Sequence, residues 1–235
     1  MDPIYLLTLL RLLIPLLILR WPLVGILLSA FLDSLDWKLF PFEHSTDYHL
    51  YQIWDKSLDL YYGLIAFFVT FKWRDHTARK IVQSLFIYRL VGLGLFFTFD
   101  WRPALFFFPN LFENFFFFYH AFLHFTKQPL LLTSKRIAFL ILISILLPKL
   151  IHEYFLHFLG HQPWELHNVG QYLGLQGIAQ EEVNLLSWGL LMYAPSLLAL
   201  VVLIRRRRNG GILHPDENTR PRTTIQSLRP TTDTL

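Results

Sequence analysis

The 235-residue chain has no cysteine and two methionines, and only 16% of its residues are charged. Without cysteine there is no disulfide framework and no thiolate-ligated zinc. A soluble domain carries roughly 25% of its residues as Asp, Glu, Lys and Arg, so this chain is short of the charge that would clothe a water-facing surface. It has no Gly-rich phosphate loop and no His-Glu-x-x-His motif. His120-Ala-Phe-Leu-His124 has no Glu beside its first His, and in His152-Glu153-Tyr154-Phe155-Leu156-His157 the second His comes one residue late. The chain is apolar instead: 54% hydrophobic, with 23 Phe, 10 Tyr and 7 Trp, a composition that excludes general disorder.

A bilayer core of about 30 Å takes about 20 apolar helical residues. On that measure the sequence predicts an all-α polytopic membrane protein, with a bundle of about six transmembrane helices over residues 1–204. The tail 205–235 is basic and polar, and is expected to be disordered and cytoplasmic. The first span ends near Asp36 and begins near Ile4 or near Leu12; the others cover 53–72, 81–99, 103–126, 136–159 and 185–204. Ile4 to Leu32 reads either as one long tilted helix or as an interfacial helix, Ile4–Leu19, that turns at Arg20-Trp21-Pro22. Two full spans are not expected there, because no turn has room to form. The loop 160–184 is expected to carry a short helix on the membrane surface. The tryptophans mostly flank span ends, as an aromatic belt does, and the Phe runs at 106–108 and 115–118 read as packing or lipid-facing surface.

Basic residues orient the bundle. Arg11, Arg20, Lys72, Arg74, Arg79, Lys80, Lys127, Lys135, Arg136 and Arg205–Arg208 fall on one side, with the tail arginines. Lys38, Lys56, Arg102 and Lys149 fall on the other, and Arg89 lies within a span. The expectation is a multi-pass cell-membrane protein with both termini cytoplasmic. Four arginines next to a span are a stop-transfer and lipid-contact feature, so no nucleic-acid partner is expected.

Charged groups inside spans usually face a bundle interior or a wet cavity. At about 1.5 Å per helical residue, Asp33, Asp36, Asp55, Asp59, Glu113, Lys149, His152 and Glu153 all lie about 20–26 Å from the basic ends of their spans. That places four helices' polar residues in one slab of the outer membrane. Asp33/Asp36 and Asp55/Asp59 each share a helix face. Together they form an oxygen-donor set suited to Mg²⁺ or Mn²⁺, whereas a Glu153, His157, His161 stripe suits Zn²⁺ less specifically. In this reading Asp33, Asp36, Asp55 and Asp59 hold the metal. Asp59 or Glu153 serves as general base, Lys149 and His152 complete the catalytic set, and Glu113, Arg89, His157 and His161 bind substrate or organise structure. Asp59–Lys149 is the natural ion pair by depth, with Arg89 reaching toward Glu113.

Asp33-x-x-Asp36 followed by Asp55-x-x-x-Asp59, preceded by Leu6-Leu7-Thr8-Leu9-Leu10-Arg11 and Pro15, resembles the acidic quartet and first segment of the CDP-alcohol phosphatidyltransferases. The likeness covers about 60 residues. Trp37, Phe40, Pro41 and Tyr51 stand where that family's motif has Gly, Ala, Arg and Gly, and the gap between the pairs is one residue longer. The resemblance implies a degenerate enzyme of that type.

Three functional classes stay open. One is a metal-assisted transferase or hydrolase acting on a lipid-linked substrate. The second is a transporter or proton-coupled carrier using the same carboxylates. The third is a non-catalytic assembly protein whose polar layer only specifies packing.

Overall fold

A computed structural model describes residues 3–40, 47–130, 135–155, 159 and 169–209. They are all-α. Helix α1 spans Pro3–Leu13 and runs directly into a 3₁₀ segment, Ile14–Leu19. Pro15 explains the change of winding: it has no N–H to donate to the carbonyl one α-turn back, and its ring crowds that carbonyl. The chain then turns within two residues. The Arg20 and Trp21 amides both donate to the Leu17 carbonyl, at 3.1 and 2.7 Å, and Pro22 opens α2 (Pro22–Leu39) from the first helical position.

The two limbs are antiparallel. Ile18 lies against Gly25, whereas Arg11 reaches Asp33 and Asp36. The turn falls at Arg20-Trp21-Pro22, where one of the two sequence readings has it, because a 3₁₀ end and a Pro start need almost no loop. The N-terminal segment is therefore not one long helix with α2, and it packs back on α2 and α3.

Helix α3 covers Asp47–Thr70 and α4 His76–Phe99; Asp75 caps α4 by accepting from the Ala78 amide at 3.0 Å. The stretch expected as a single span over 103–126 is divided. A short α5 (Pro103–Phe107) stops before Pro109, and Asn110 then caps α6 (Leu111–Thr126) by accepting from the Glu113 amide. Helix α7 is Lys135–Tyr154 and α8 is the short Val169–Tyr172. Helix α9, Ile178–Arg208, is longer than the 20 residues expected for its span.

Among the described residues three helices, not six, are long and apolar enough to cross a membrane: His76–Phe99, Arg136–Tyr154 and Ile178–Arg208. Asp, Lys, His and Gln side chains dilute α3, Asp33, Asp36 and Lys38 charge the 18 residues of α2, and α6 is short.

Helix α6 is the hub, packing on α2, α3, α4, α7 and α9. Its Phe112, Phe115, Phe116, Phe118 and Phe122 are all but fully buried, so the second Phe run is core rather than lipid-facing surface. Phe86 of α4 lies 4.9 Å from Phe112, and Trp73 stacks on Tyr119 at 3.8 Å. Trp73 is thus part of the core and not of an aromatic belt.

Candidate functional site

The antiparallel return of α1 brings Arg11 to the four aspartates. Its guanidinium donates to Asp33 at 2.7 Å, to Asp55 and Asp59 at 3.1 Å each, and to Asp36. Arg11 is 3% exposed and Asp36 1%. The Tyr51 hydroxyl donates to the second Asp36 oxygen at 2.8 Å, and the guanidinium lies over Trp54, 5.2 Å from the ring centre. Lys56 reaches Asp55 at 2.5 Å and Asp59 at 3.2 Å.

One carboxylate oxygen from each of Asp33, Asp55 and Asp59 lies within 4.8 Å of the other two, so this buried group could hold a metal ion. All the donors are hard oxygens, as Mg²⁺ and Mn²⁺ require. Asp36 is held to one side by Arg11 and Tyr51. Among the described residues, two cations face four carboxylates here, which leaves two formal negative charges in a poorly solvated place. Desolvated charge of one sign is costly unless something answers it. Asp33 is the open edge of the group, with 37% of its side chain exposed against 2–10% for the other three.

The other site residues form a second group. Tyr62, one helical turn beyond Asp59, donates to Glu113 at 2.6 Å, and Asn110 donates to the same oxygen at 3.0 Å. Lys149 pairs with Glu153 one turn along α7 at 3.1 Å, not with Asp59, whose cations are Arg11 and Lys56. Arg89 donates to the Phe108 carbonyl at 2.8 Å and does not bridge to Glu113: the break between α5 and α6 leaves that carbonyl without a helical partner. Lys149 and His152 line a cavity of about 200 Å³ with Ser34, Asn114, Ser144, Trp188 and Tyr193. A wider apolar cleft of about 570 Å³ shares Ser34, Asn114 and Tyr193 with it and is flanked by Glu113. His157 and His161 lie outside the described residues. His120, one of the i,i+4 pair, is packed among Trp73, Phe116 and Tyr119 rather than at an interface.

Sequence reasoning grouped the aspartates but missed their partners. Arg11 was assigned to the opposite side of the membrane, and Lys56 was counted only for orientation. The available signal was Arg11 itself, a lone cation in an apolar run, which requires a carboxylate at its own depth.

No protein-family model, curated protein or solved structure matches the chain.

Proposed function

We propose that this protein is a membrane-embedded enzyme that uses a divalent cation, Mg²⁺ or Mn²⁺, to transfer or hydrolyse the polar head of a lipid-linked substrate. The carrying observation is the meeting of Asp33, Asp55 and Asp59 oxygens within 4.8 Å, beside Asp36, with fewer positive charges than carboxylates around them. A cation bound there polarises a phosphate oxygen and balances charge that develops on it. Asp33 offers the approach, and Asp59 receives the proton of the attacking hydroxyl or water. Arg11 and Lys56 keep the carboxylates assembled before the cation enters. Lys149 and His152 face the adjoining cavity and position the rest of the substrate, with Glu153 holding Lys149.

The arrangement also supports the partial likeness to the CDP-alcohol phosphatidyltransferases, since the residues that carry it come together in space. A carrier would need polar stepping stones across the bundle. Arg89 is engaged by a backbone carbonyl and His120 is enclosed by aromatic rings, so neither lends that reading support. In the proposed orientation the Arg205–Arg208 end of α9 is cytoplasmic and the aspartate cluster lies toward the outer leaflet.

Electron paramagnetic resonance of Mn²⁺ titrated into the protein in phosphatidylcholine nanodiscs tests the proposal. Wild type is expected to bind Mn²⁺ in the micromolar range and the double variant Asp55→Asn, Asp59→Asn at least about tenfold more weakly, a difference of about 1.4 kcal/mol. Equal binding by folded wild type and variant would leave the cluster as packing alone.

A further inference from the structure

The ~200 Å³ cavity and the ~570 Å³ cleft share Ser34, Asn114, Leu185, Gly189, Tyr193 and Ser196, so they form one continuous space between α2, α6, α7 and α9. One end is walled by apolar side chains, among them Leu27, Phe31, Phe117 and Leu190, and is open to the side. At the other end polar side chains stand among the apolar ones: Ser34, Asn114, Ser144, Ser196 and Tyr193 offer hydroxyls and an amide, and Lys149 and His152 lie beside them. The formal charges at its wall are already answered. Lys149 is paired with Glu153, and Glu113 accepts from Tyr62 and Asn110. A phosphate-bearing head needs a cation that is free to meet it. Among the described residues lining this space the one Lys or Arg is Lys149, and Glu153 already holds it. Hydroxyls and amides instead match a head group that donates and accepts hydrogen bonds without net charge.

We infer that this space binds a lipid chain whose head is uncharged and hydroxyl-bearing, with the chain along α2 and α9 and the head among Ser34, Asn114, Ser144 and Tyr193. The inference rests on the proposed lipid chemistry and names its lipid partner. Ser34 follows Asp33 in the chain, and Glu113 connects through Tyr62 to the turn that carries Asp59. The head therefore lies beside the cation cluster, where any phosphate that takes part would be held. Gly189 marks the junction of cavity and cleft, and a Cβ built there meets nothing within 4 Å. A side chain at this position therefore starts into the shared space with its Cβ free of protein contact.

The test is photo-crosslinking of the full chain in phosphatidylcholine nanodiscs, with a diazirine-bearing monoacylglycerol as one probe and a diazirine-bearing phosphatidylglycerol as the other. The monoacylglycerol is expected to label Leu185–Leu197 of α9, to be competed by unlabelled monoacylglycerol, and to lose about tenfold of its labelling in Gly189→Leu, the effect of one or two misplaced methylenes. Mn²⁺ binding by the same variant should be unchanged, which shows that it is folded. Equal or stronger labelling of α9 by the anionic probe would overturn the inference. So would labelling spread evenly over all lipid-facing helices and indifferent to Gly189→Leu. Selective monoacylglycerol labelling without Mn²⁺ binding would uphold the lipid site and remove the cation chemistry, so the two proposals fail separately.

Discussion

Arg11 carries more of this structure than any other single side chain, since one guanidinium answers carboxylates from two helices while 3% exposed. Removing one partner from a buried ionic group leaves the others uncompensated and typically costs about 3–5 kcal/mol. Arg11→Ala is therefore expected to lower unfolding stability in detergent by that amount, measured by denaturant titration. Arg11→Lys should recover only part of the loss, because a single ammonium cannot spread five donors over four carboxylates. Millimolar Mn²⁺ should restore stability to Arg11→Ala more than it stabilises wild type, because a bound cation takes over the neutralisation. A variant within about 0.5 kcal/mol of wild type, the usual range for surface changes, would contradict the buried role given to Arg11.

The hairpin of α1, the 3₁₀ segment and α2 is what delivers Arg11. It depends on a close approach at Gly25, where an added Cβ would stand 2.4 Å from the Ile18 amide nitrogen and 2.7 Å from its Cα. Those are backbone atoms, so no rotamer change relieves the clash. Gly25→Ala is expected to cost about 1–3 kcal/mol, as overpacking does, and to weaken Mn²⁺ binding by disturbing the aspartates. Gly94→Ala on α4 meets nothing within 4 Å, and should be neutral or stabilising by up to about 1 kcal/mol. The same denaturant titrations check both.

The helical class and the pairing of Asp33/Asp36 with Asp55/Asp59 were legible because both follow from local spacing. The turn at Arg20-Trp21-Pro22 was legible as one of two alternatives, but the antiparallel return that it makes was not. A turn of two residues leaves no Gly or Asn signature, and a one-dimensional depth count assigns Arg11 to the wrong side of Arg20. Lys149 was given to Asp59 for a related reason: equal depth says nothing of direction around a helix, and Glu153, one turn along α7, was nearer.

Among the described residues, three helices fit to cross a membrane combine with shorter or more polar ones gathered around α6. With the Arg205–Arg208 end of α9 taken as cytoplasmic, the hairpin directs Pro3 away from Arg20, along the aspartate-bearing half of α2. With no native cysteine, single introduced thiols report orientation without background. A membrane-impermeant maleimide is expected to label a cysteine at His49, whose side chain is half exposed next to Asp100, and to spare one at His76 in intact cells. An epitope added before Pro3 should be accessible from outside. The reverse labelling pattern would invert the molecule and open the aspartate cluster to cytoplasmic substrates.

The six residues Ile14–Leu19 contain no polar side chain, yet their winding sets the azimuth of Arg11. A 3₁₀ helix advances about 120° and 2.0 Å per residue and an α-helix about 100° and 1.5 Å. Rewound as α-helix, this stretch would rotate Arg11 by about a third of a turn and draw it back by about 3 Å. The guanidinium would then face hydrocarbon, and the aspartates would face one another. The electrostatic balance of the polar layer is thus geared to the pitch of an entirely greasy segment, with Pro15 as the tooth that keeps the two engaged.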